Sequence, residues 1–172
     1  MMKKSLTNKI SKIKLVLTDV DGVLTDGGRY YSINGESMKK FHTRDGMGVN
    51  LLLRNKIKTC IVTKENSKII RRWAKDMNIF KIYANAIHKE EFLPKICKKF
   101  SLNSYNIAYI GDDVNDLEIL ERVGLSISPK DANQEVKKIV DYTCNSLGGE
   151  GVLREICDLI ISIKFGKKKK LY

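Results

Sequence analysis

Short apolar runs alternate with longer amphipathic segments along most of the chain. Short runs bounded by turn residues are typical of buried parallel strands, and they occur at 15–18, 57–62, 81–84 and 107–110. Between the runs, apolar residues recur at helical spacing, as in the final segment 151–164. Strands that alternate with helices predict an α/β fold, in which a parallel sheet is flanked by helices on both faces.

The segment 29–42 interrupts this alternation. An Asn-Gly dipeptide at 34–35 stands between two β-prone arms, and this dipeptide is a strong signal for a hairpin turn. The next segment, 44–55, has helical spacing, and Thr43 or Asp45 is expected to cap it. The sequence therefore predicts a β-hairpin and a helix between the first two strands of the sheet.

Two carboxylates directly follow the first strand. Asp19 and Asp21 come at its carboxyl end, and alternate residues of a strand share a face, so both side chains are expected to point the same way. Paired carboxylates repel each other unless a cation or a shared proton neutralises them, and Mg²⁺ prefers oxygen ligands. An Asp-x-Asp pair alone is equally compatible with a turn cap, so it becomes informative only together with other residues.

Three further strand ends carry polar side chains. Thr63 follows the second strand, Lys89 lies shortly after the third, and an acidic cluster that contains Asp112 follows the fourth. Each of these residues taken singly is compatible with a solvated or helix-capping side chain. Their order at successive strand ends, together with the first carboxylate pair, is what distinguishes this chain.

This order resembles that of the haloacid dehalogenase-like phosphohydrolases. Three motifs resemble those of one branch of this family. The branch contains the phosphatases that act on KDO (3-deoxy-D-manno-octulosonate) 8-phosphate and those that act on nonulosonate 9-phosphates. The motifs are Asp19–Gly27, Arg44-Asp45-Gly46 and Gly148-Gly149-x-Gly151. The resemblance implies a Rossmann-like sheet and a phosphatase that hydrolyses a 2-keto-3-deoxy sugar-acid phosphate, with Mg²⁺ as its cofactor.

The resemblance also implies a role for each matching residue. Asp19 would be the nucleophile that forms an aspartyl-phosphate, and Asp21 would be the general acid and base. The implied Mg²⁺ ligands are Asp19, the carbonyl of Asp21 and Asp112, with Asp113 or Asp116 as supporting residues. The implied phosphate-binding residues are Thr63 and Lys89, and the candidates for substrate contact are Arg44, Asp45 and Gly46.

The substrate remains open between two kinds of sugar acid. The KDO branch usually has Gly-Arg after its motif threonine, whereas this chain has Lys64 and Glu65. Glu150 replaces an arginine of the glycine motif, and Trp73 replaces an arginine of the helix after the threonine. Arginines at such positions would pair with a substrate carboxylate, and the two glutamates look more like the nonulosonate branch.

The spacing of the motifs leaves no room for a cap domain. Only a hairpin and a helix fit between Asp21 and Thr63, and only a helix and a strand fit between Thr63 and Lys89. We therefore expect a β-hairpin flap, no cap domain and an open site, and the resemblance implies a homotetramer in which a neighbour completes each site. The predicted divisions are an N-terminal extension at 1–12, the phosphatase domain at 13–164 and a basic tail at 165–172.

Two other classes of function share some of these residues. A non-catalytic oligomerisation domain, like the phosphatase-like part of some fused cytidylyltransferases, is disfavoured because Asp19, Thr63 and Lys89 are all retained. A receiver domain also combines clustered Asp, Thr and Lys residues. Its acceptor aspartate belongs near the end of a middle strand, which the order of the motifs here disfavours.

Composition changes this picture little. The formal net charge is +12, but the basic residues are spread along the chain, and the densest run, 167–170, has no interleaved aromatic residues. We therefore expect no nucleic-acid partner. No apolar run reaches transmembrane length, so we expect no membrane partner and a cytoplasmic location. The four cysteines include no C-x-x-C pair, which predicts free thiols and no zinc site.

Overall fold

The computed structural model describes residues 4–166, which form one parallel sheet, one separate hairpin and the helices around them. The strands are β1 (Leu15–Thr18), β2 (Tyr30–Ser32), β3 (Gly35–Met38), β4 (Lys58–Val62), β5 (Lys81–Tyr83), β6 (Ile107–Ile110), β7 (Leu125–Ser128) and β8 (Tyr142–Thr143). The α-helices are α1 (Lys4–Ser11), α2 (Thr43–Arg54), α3 (Lys68–Asp76), α4 (Phe92–Phe100), α5 (Leu117–Arg122), α6 (Gln134–Ile139) and α7 (Val152–Phe165). Short 3₁₀ turns at Lys89–Glu91, Ser104–Asn106 and Val114–Asp116 precede α4, β6 and α5.

The strands of the sheet run parallel in the order β5-β4-β1-β6-β7-β8. β1 pairs with β4 on one side and with β6 on the other, and all of its residues are buried. Strands covered on both faces need continuous apolar runs, which explains the sequence of β1 up to Thr18. The predicted α/β fold is confirmed, and the carboxyl ends of β1, β4 and β6 meet at one edge of the sheet.

Successive residues of β1 pack into opposite halves of the core. Val16 belongs to a cluster with residues of α1, α2, α3 and α7, whereas Leu15 and Leu17 belong to a cluster with residues of α4, α5 and α6. The strand period of two residues causes this division, because neighbouring side chains point to opposite faces. The central strand is therefore held from both sides directly below its carboxyl end.

Helix α1 lies within the N-terminal extension predicted at 1–12, where the sequence analysis assigned no helix. Ile10 is fully buried in the same cluster as the apolar face of α7. The Nζ of Lys164 donates hydrogen bonds to the carbonyl oxygens of Ser11 and Ile13, at 2.8 and 2.7 Å. α7 ends at Phe165, within the predicted tail, and the basic run 167–170 lies outside the described residues.

The predicted hairpin is present, and no cap domain is found within residues 4–166. β2 and β3 pair antiparallel, and Gly35 has a φ of +102°, a conformation that glycine adopts without strain. Only this hairpin and α2 lie between β1 and β4, and only α3 and β5 lie between β4 and Lys89. None of the helices in this range has the length and apolar character needed to span a membrane.

The prediction that Thr43 or Asp45 caps α2 was wrong. The N-cap is His42, whose Nδ1 accepts a hydrogen bond from the N–H of Arg44 at 3.2 Å. Thr43 is already the first helical residue, and the Asp45 side chain points to another helix instead. Imidazole nitrogen is an acceptor that replaces the more usual hydroxyl or carboxylate of a capping residue.

Candidate active site

An open cavity of about 640 Å³ lies at the carboxyl edge of the sheet. Its lining residues come from the ends of β1, β4 and β6 and from the loop that leads to the hairpin. They are Asp19, Asp21, Gly22, Gly27, Arg29, Thr63, Lys64, Glu65, Asn66, Asp112, Asp113 and Asn115. The strand-end residues that the sequence singles out after β1, β4 and β6 therefore meet around one cavity.

The Asp19 carboxylate is fixed by one backbone donor and one buried lysine. Its Oδ1 accepts a hydrogen bond from the N–H of Val20 at 2.7 Å, and its Oδ2 accepts one from Lys89 Nζ at 2.5 Å. The side chain of Lys89 is completely buried, and its Nζ also contacts Asp116 Oδ1 at 2.6 Å. Burial lowers the pKa of Lys89, but the charges of Asp19 and Asp116 raise it above the ordinary value, so this ammonium remains charged.

Three carboxylates form an acidic cluster at the floor of the cavity. Asp19, Asp112 and Asp116 each place an oxygen within 4.8 Å of the others. Burial raises the pKa of Asp19 to about 7, although Lys89 opposes the shift, and burial together with the other two carboxylates raises the pKa of Asp112 to about 8. Burial and mutual repulsion disfavour the charged forms of these carboxylates. A cation bound between them would stabilise the charged forms, because its charge would offset theirs.

Asp116 differs from the other two carboxylates in its contacts. Its Oδ1 accepts hydrogen bonds from Lys89 and from the hydroxyl of Tyr109, at 2.6 and 2.5 Å, and its Oδ2 accepts the N–H of Asp112 at 3.1 Å. These donors occupy both oxygens of a fully buried side chain. Asp116 therefore supports the lysine and the loop that carries Asp112. Tyr109 was not among the predicted site residues, because a tyrosine inside an apolar strand has the pattern of a core residue.

Gly22 brings the backbone that follows Asp21 against Asp112. The φ of Gly22 is +80°, and a Cβ at this position would lie 2.0 Å from Asp112 Oδ2. A side chain is thus excluded by both conformation and space. This contact places the loop after β1 beside the acidic cluster, as a backbone ligand to a shared cation would require.

The Asp21 carboxylate has two oxygens in different surroundings. Its Oδ1 accepts hydrogen bonds from Lys39 Nζ at 2.6 Å and from Thr25 Oγ1 at 3.3 Å. Its Oδ2 lies 4.0 Å from Arg29 Nη2. Lys39 and Arg29 were not predicted, because no local pattern links a lysine beside the hairpin to an aspartate after β1.

Thr63 and Asp113 occupy the positions that the sequence predicts, at the cavity wall and rim. Thr63 is buried at the end of β4, and its Oγ1 accepts the N–H of Glu65 at 3.1 Å, which leaves the hydroxyl proton for another acceptor. Asp113 is exposed, and its Oδ1 accepts the N–H of Val114 at 2.8 Å. Asp113 therefore caps the 3₁₀ turn that follows the acidic loop.

The structure does not bring Arg44, Asp45 and Gly46 to the cavity of this chain. Asp45 is completely buried, and its Oδ1 accepts the N–H of Arg154 at the start of α7, at 2.9 Å. Gly46 is buried against Met77, whose Sδ would lie 2.0 Å from a Cβ at this position. Asp45 and Gly46 therefore do not line the cavity of their own chain, and their contact with substrate stays a prediction. Arg44 is exposed, and a contact with substrate would need a second subunit.

Comparisons with known proteins identify the family. A sequence profile described as haloacid dehalogenase-like hydrolase matches residues 54–156. The 3-deoxy-D-manno-octulosonate 8-phosphate phosphatase of Haemophilus influenzae is 38% identical over 156 residues, which cover 91% of this chain and 87% of that protein. The protein of the same name from Escherichia coli K12 is 35% identical over 153 residues, which cover 89% of this chain and 81% of its own length.

Solved structures agree with this relationship. The cobalt-bound phosphatase of H. influenzae has a TM-score of 0.88 and 38% identity, and the match covers 91% of both chains. The phosphatase of the same substrate from Moraxella catarrhalis, solved with a magnesium ion, a phosphate ion and a KDO molecule, has a TM-score of 0.89 and 33% identity, over 92% of this chain and 91% of that one. The present chain, with its motifs at the ends of β1, β4 and β6, belongs to the haloacid dehalogenase-like hydrolases and is a phosphatase of that family.

Proposed function

We propose that this phosphatase is a Mg²⁺-dependent phosphomonoesterase that acts on a 2-keto-3-deoxy sugar-acid phosphate, with KDO 8-phosphate as the first candidate. The observation that carries the proposal is the Asp19 carboxylate, which a buried lysine holds at the floor of an open cavity lined with carboxylates. Two relatives are named for hydrolysis of this substrate, and one solved neighbour contains magnesium, phosphate and KDO together.

In the first step, an oxygen of Asp19 attacks the phosphorus atom, and the bond between phosphorus and the sugar oxygen breaks. The sugar oxygen takes the bonding electron pair and a proton from Asp21, so the sugar leaves as an alcohol. Lys89 and the N–H of Val20 hold the nucleophile in one orientation, which lowers the entropic cost of reaching the transition state. The hydroxyl of Thr63 donates a hydrogen bond to a phosphoryl oxygen.

In the second step, Asp21 is a carboxylate and accepts a proton from a water molecule. The resulting nucleophile attacks phosphorus, the bond to Asp19 breaks, and inorganic phosphate leaves. The Asp19 carboxylate is restored, and Asp21 carries a proton again for the next cycle. One residue thus serves as acid and then as base, at the side of the cavity where the leaving sugar lies.

The acidic cluster fits a Mg²⁺ ion in the chemistry of its donors. The ligands would be Asp19, Asp112 and the carbonyl of Asp21, because these three residues line the cavity, whereas the fully buried Asp116 does not. All are hard oxygen donors, and Gly22 brings the loop backbone into contact with Asp112. When bound, the ion would neutralise charge on the phosphoryl group and permit approach of an anionic nucleophile.

A glutamate at the cavity wall is the reason to consider a second sugar acid as substrate. Glu65 forms an ion pair with Arg29 at the cavity wall, so the position that follows the motif threonine by two residues adds negative charge. Such a carboxylate would not attract the carboxylate of KDO. A nonulosonate 9-phosphate offers further hydroxyl and acylamino groups that a glutamate can bind, and it is therefore the second candidate substrate.

Phosphate release from KDO 8-phosphate and from a nonulosonate 9-phosphate, measured side by side, tests the proposal. We expect Mg²⁺-dependent release that a chelator abolishes and that Asp19→Asn abolishes. Asp26→Asn, an exposed carboxylate on the same loop, is the matched control and should retain activity. The ratio of kcat/KM values identifies the substrate, and absence of release from both would refute the proposed substrate class.

A further inference from the structure

A buried lysine beside the hairpin connects two carboxylates of the candidate active site to a third in the hairpin. The side chain of Lys39, just after β3, is completely inaccessible to solvent. Its Nζ lies 2.6 Å from Asp21 Oδ1, 2.9 Å from Glu36 Oε1 and 3.5 Å from Glu65 Oε2. Glu36 lies in β3 itself and Glu65 in the loop after β4, so the ammonium joins the hairpin to two strand-end loops.

The buried ammonium is stable only because of these partners. Burial lowers the pKa of Lys39, but the hydrogen bond to Asp21 and the close contact with Glu36 outweigh burial and raise it above the ordinary value. A lysine without such partners would be costly to bury as a cation. The charge at this point therefore persists at neutral pH, and the carboxylates fix where it lies.

The contacts of Lys39 make the two oxygens of Asp21 unequal. Oδ1 accepts hydrogen bonds from the Lys39 ammonium and the Thr25 hydroxyl, whereas Oδ2 lies 4.0 Å from Arg29 Nη2, beyond hydrogen-bond distance. A carboxyl oxygen that accepts two hydrogen bonds is not readily protonated, because its own hydrogen would lie against the hydrogens of the two donors. A protonated Asp21 thus carries its proton on Oδ2.

We propose that Lys39 is a positioning residue for the general acid: it holds Asp21 by Oδ1, so that Oδ2 carries the proton to the leaving oxygen of the substrate. This inference rests on the proposed function, in which Asp21 protonates the sugar oxygen as the phosphorus–oxygen bond breaks. Lys39 contacts neither phosphorus nor the nucleophile. It acts only through Asp21, and through Glu36 it ties the position of the acid to the hairpin.

A purely structural role for Lys39 predicts a different result. If the lysine only joined the hairpin to the domain, its loss would slow every substrate alike. If it positions the acid, its loss should slow substrates whose leaving oxygen needs a proton, such as a sugar phosphate. It should slow p-nitrophenyl phosphate much less, because p-nitrophenolate leaves as a stable anion.

The test is kcat/KM for the sugar-acid phosphate and for p-nitrophenyl phosphate in Lys39→Met, because kcat/KM reports the step in which the leaving group departs and not the later hydrolysis that both substrates share. General acid catalysis contributes roughly 10²- to 10⁴-fold, so we expect kcat/KM for the sugar phosphate to fall at least about tenfold further than kcat/KM for p-nitrophenyl phosphate. Lys40→Met is the matched control, since Lys40 is exposed and pairs with Asp26 at 3.5 Å. It should leave both rates unchanged.

Equal loss on the two substrates, in a folded variant, would overturn the inference. Lys39→Gln is the second variant should Lys39→Met fail to fold, and the same ratio of the two rates decides it. A wild-type protein that is inactive on both substrates would instead refute the proposed function. A wild-type protein that is active, with an unchanged ratio in the variant, refutes only the role of Lys39.

Discussion

At the residue scale, Asp19 and Asp45 are both buried carboxylates whose pKa is raised to about 7, mainly by burial. Asp19 is paired with the Lys89 ammonium and lines the cavity. Asp45 accepts backbone N–H groups at the start of α7, and its Oδ2 has no hydrogen-bond partner among the described residues. A raised pKa therefore marks a catalytic candidate only where the carboxylate also meets a cavity.

Replacing Asp45 by Asn is expected to change how stability depends on pH. Burial raises the pKa of Asp45 from 3.8 to about 7, so the folded protein retains a proton that the unfolded chain releases between these values. The stabilisation is complete below the lower pKa and is lost as pH rises through the higher one. At about 1.4 kcal/mol per pKa unit, wild type should lose up to about 4 kcal/mol relative to Asp45→Asn over this range.

Urea unfolding of the two proteins at several pH values measures this difference. Asp26→Asn controls for the removal of one carboxylate from the surface, and it should give a curve parallel to that of wild type. A difference between wild type and Asp45→Asn that does not change between about pH 4 and about pH 7 would contradict the account.

At the scale of elements, the glycine loop before α7 packs against the loop after β1. A Cβ at Gly148 would lie 2.2 Å from the carbonyl oxygen of Gly22, and a Cβ at Gly149 would lie 2.4 Å from the backbone nitrogen of Asp26. The N–H of Gly149 donates to the carbonyl of Val23 at 3.0 Å. The glycine motif thus positions the loop that carries the general acid, through backbone contacts alone.

Gly148→Ala is expected to lower kcat roughly 10- to 100-fold, because displacement of a catalytic loop by about 1 Å has effects of this size. The added methyl group must move the carbonyl of Gly22, the residue that follows Asp21 and packs against Asp112. Gly28→Ala is the control, since a Cβ there meets only the flexible carboxylate of Asp26, at 3.1 Å. Steady-state kinetics at saturating Mg²⁺ decide the question, and equal kcat values in the two variants would exclude this role.

The strands and the residues at their ends were predictable because their signals are local. The apolar runs that lead to Asp19, Thr63 and Asp112 can be recognised from neighbouring residues alone. Parallel pairing of the strands then brings their carboxyl ends together. The role of Lys39 was not predictable, because it contacts Asp21 across 18 positions of the chain. The buried contact of Asp45 was not predictable for the same reason: its partner, the N–H of Arg154, lies 109 positions away.

At the scale of the whole molecule, the hairpin presents apolar side chains to solvent. Ile33 is fully exposed and Tyr31 is 66% exposed, although both side chains are large and apolar or aromatic. Exposed apolar surface of this kind is typical of a protein–protein interface. The cavity is also open, and residues 4–166 contain no cap domain to cover it. Both features support the prediction of a homotetramer.

Sedimentation velocity tests this prediction of assembly. Wild type should sediment as a tetramer, and Ile33→Asp should sediment as smaller species, because a charge at the hairpin tip cannot be buried without cost. Ile139→Asp, at a partly exposed isoleucine outside the hairpin, should remain tetrameric. If wild type is monomeric, or if Ile33→Asp remains tetrameric, the hairpin does not form the subunit interface.

Asp19 is expected to become phosphorylated in each catalytic cycle, and the variant Asp21→Asn allows this phosphorylation to be observed directly. With p-nitrophenyl phosphate, the first step needs no acid, but the second step lacks its base, so the phosphorylated enzyme should accumulate. After an acid quench, mass spectrometry of peptides should locate one phosphoryl group on Asp19, and the Asp19→Asn/Asp21→Asn double variant should carry none. Release of p-nitrophenol with no phosphoryl group on Asp19, or with one on another residue, would contradict the account.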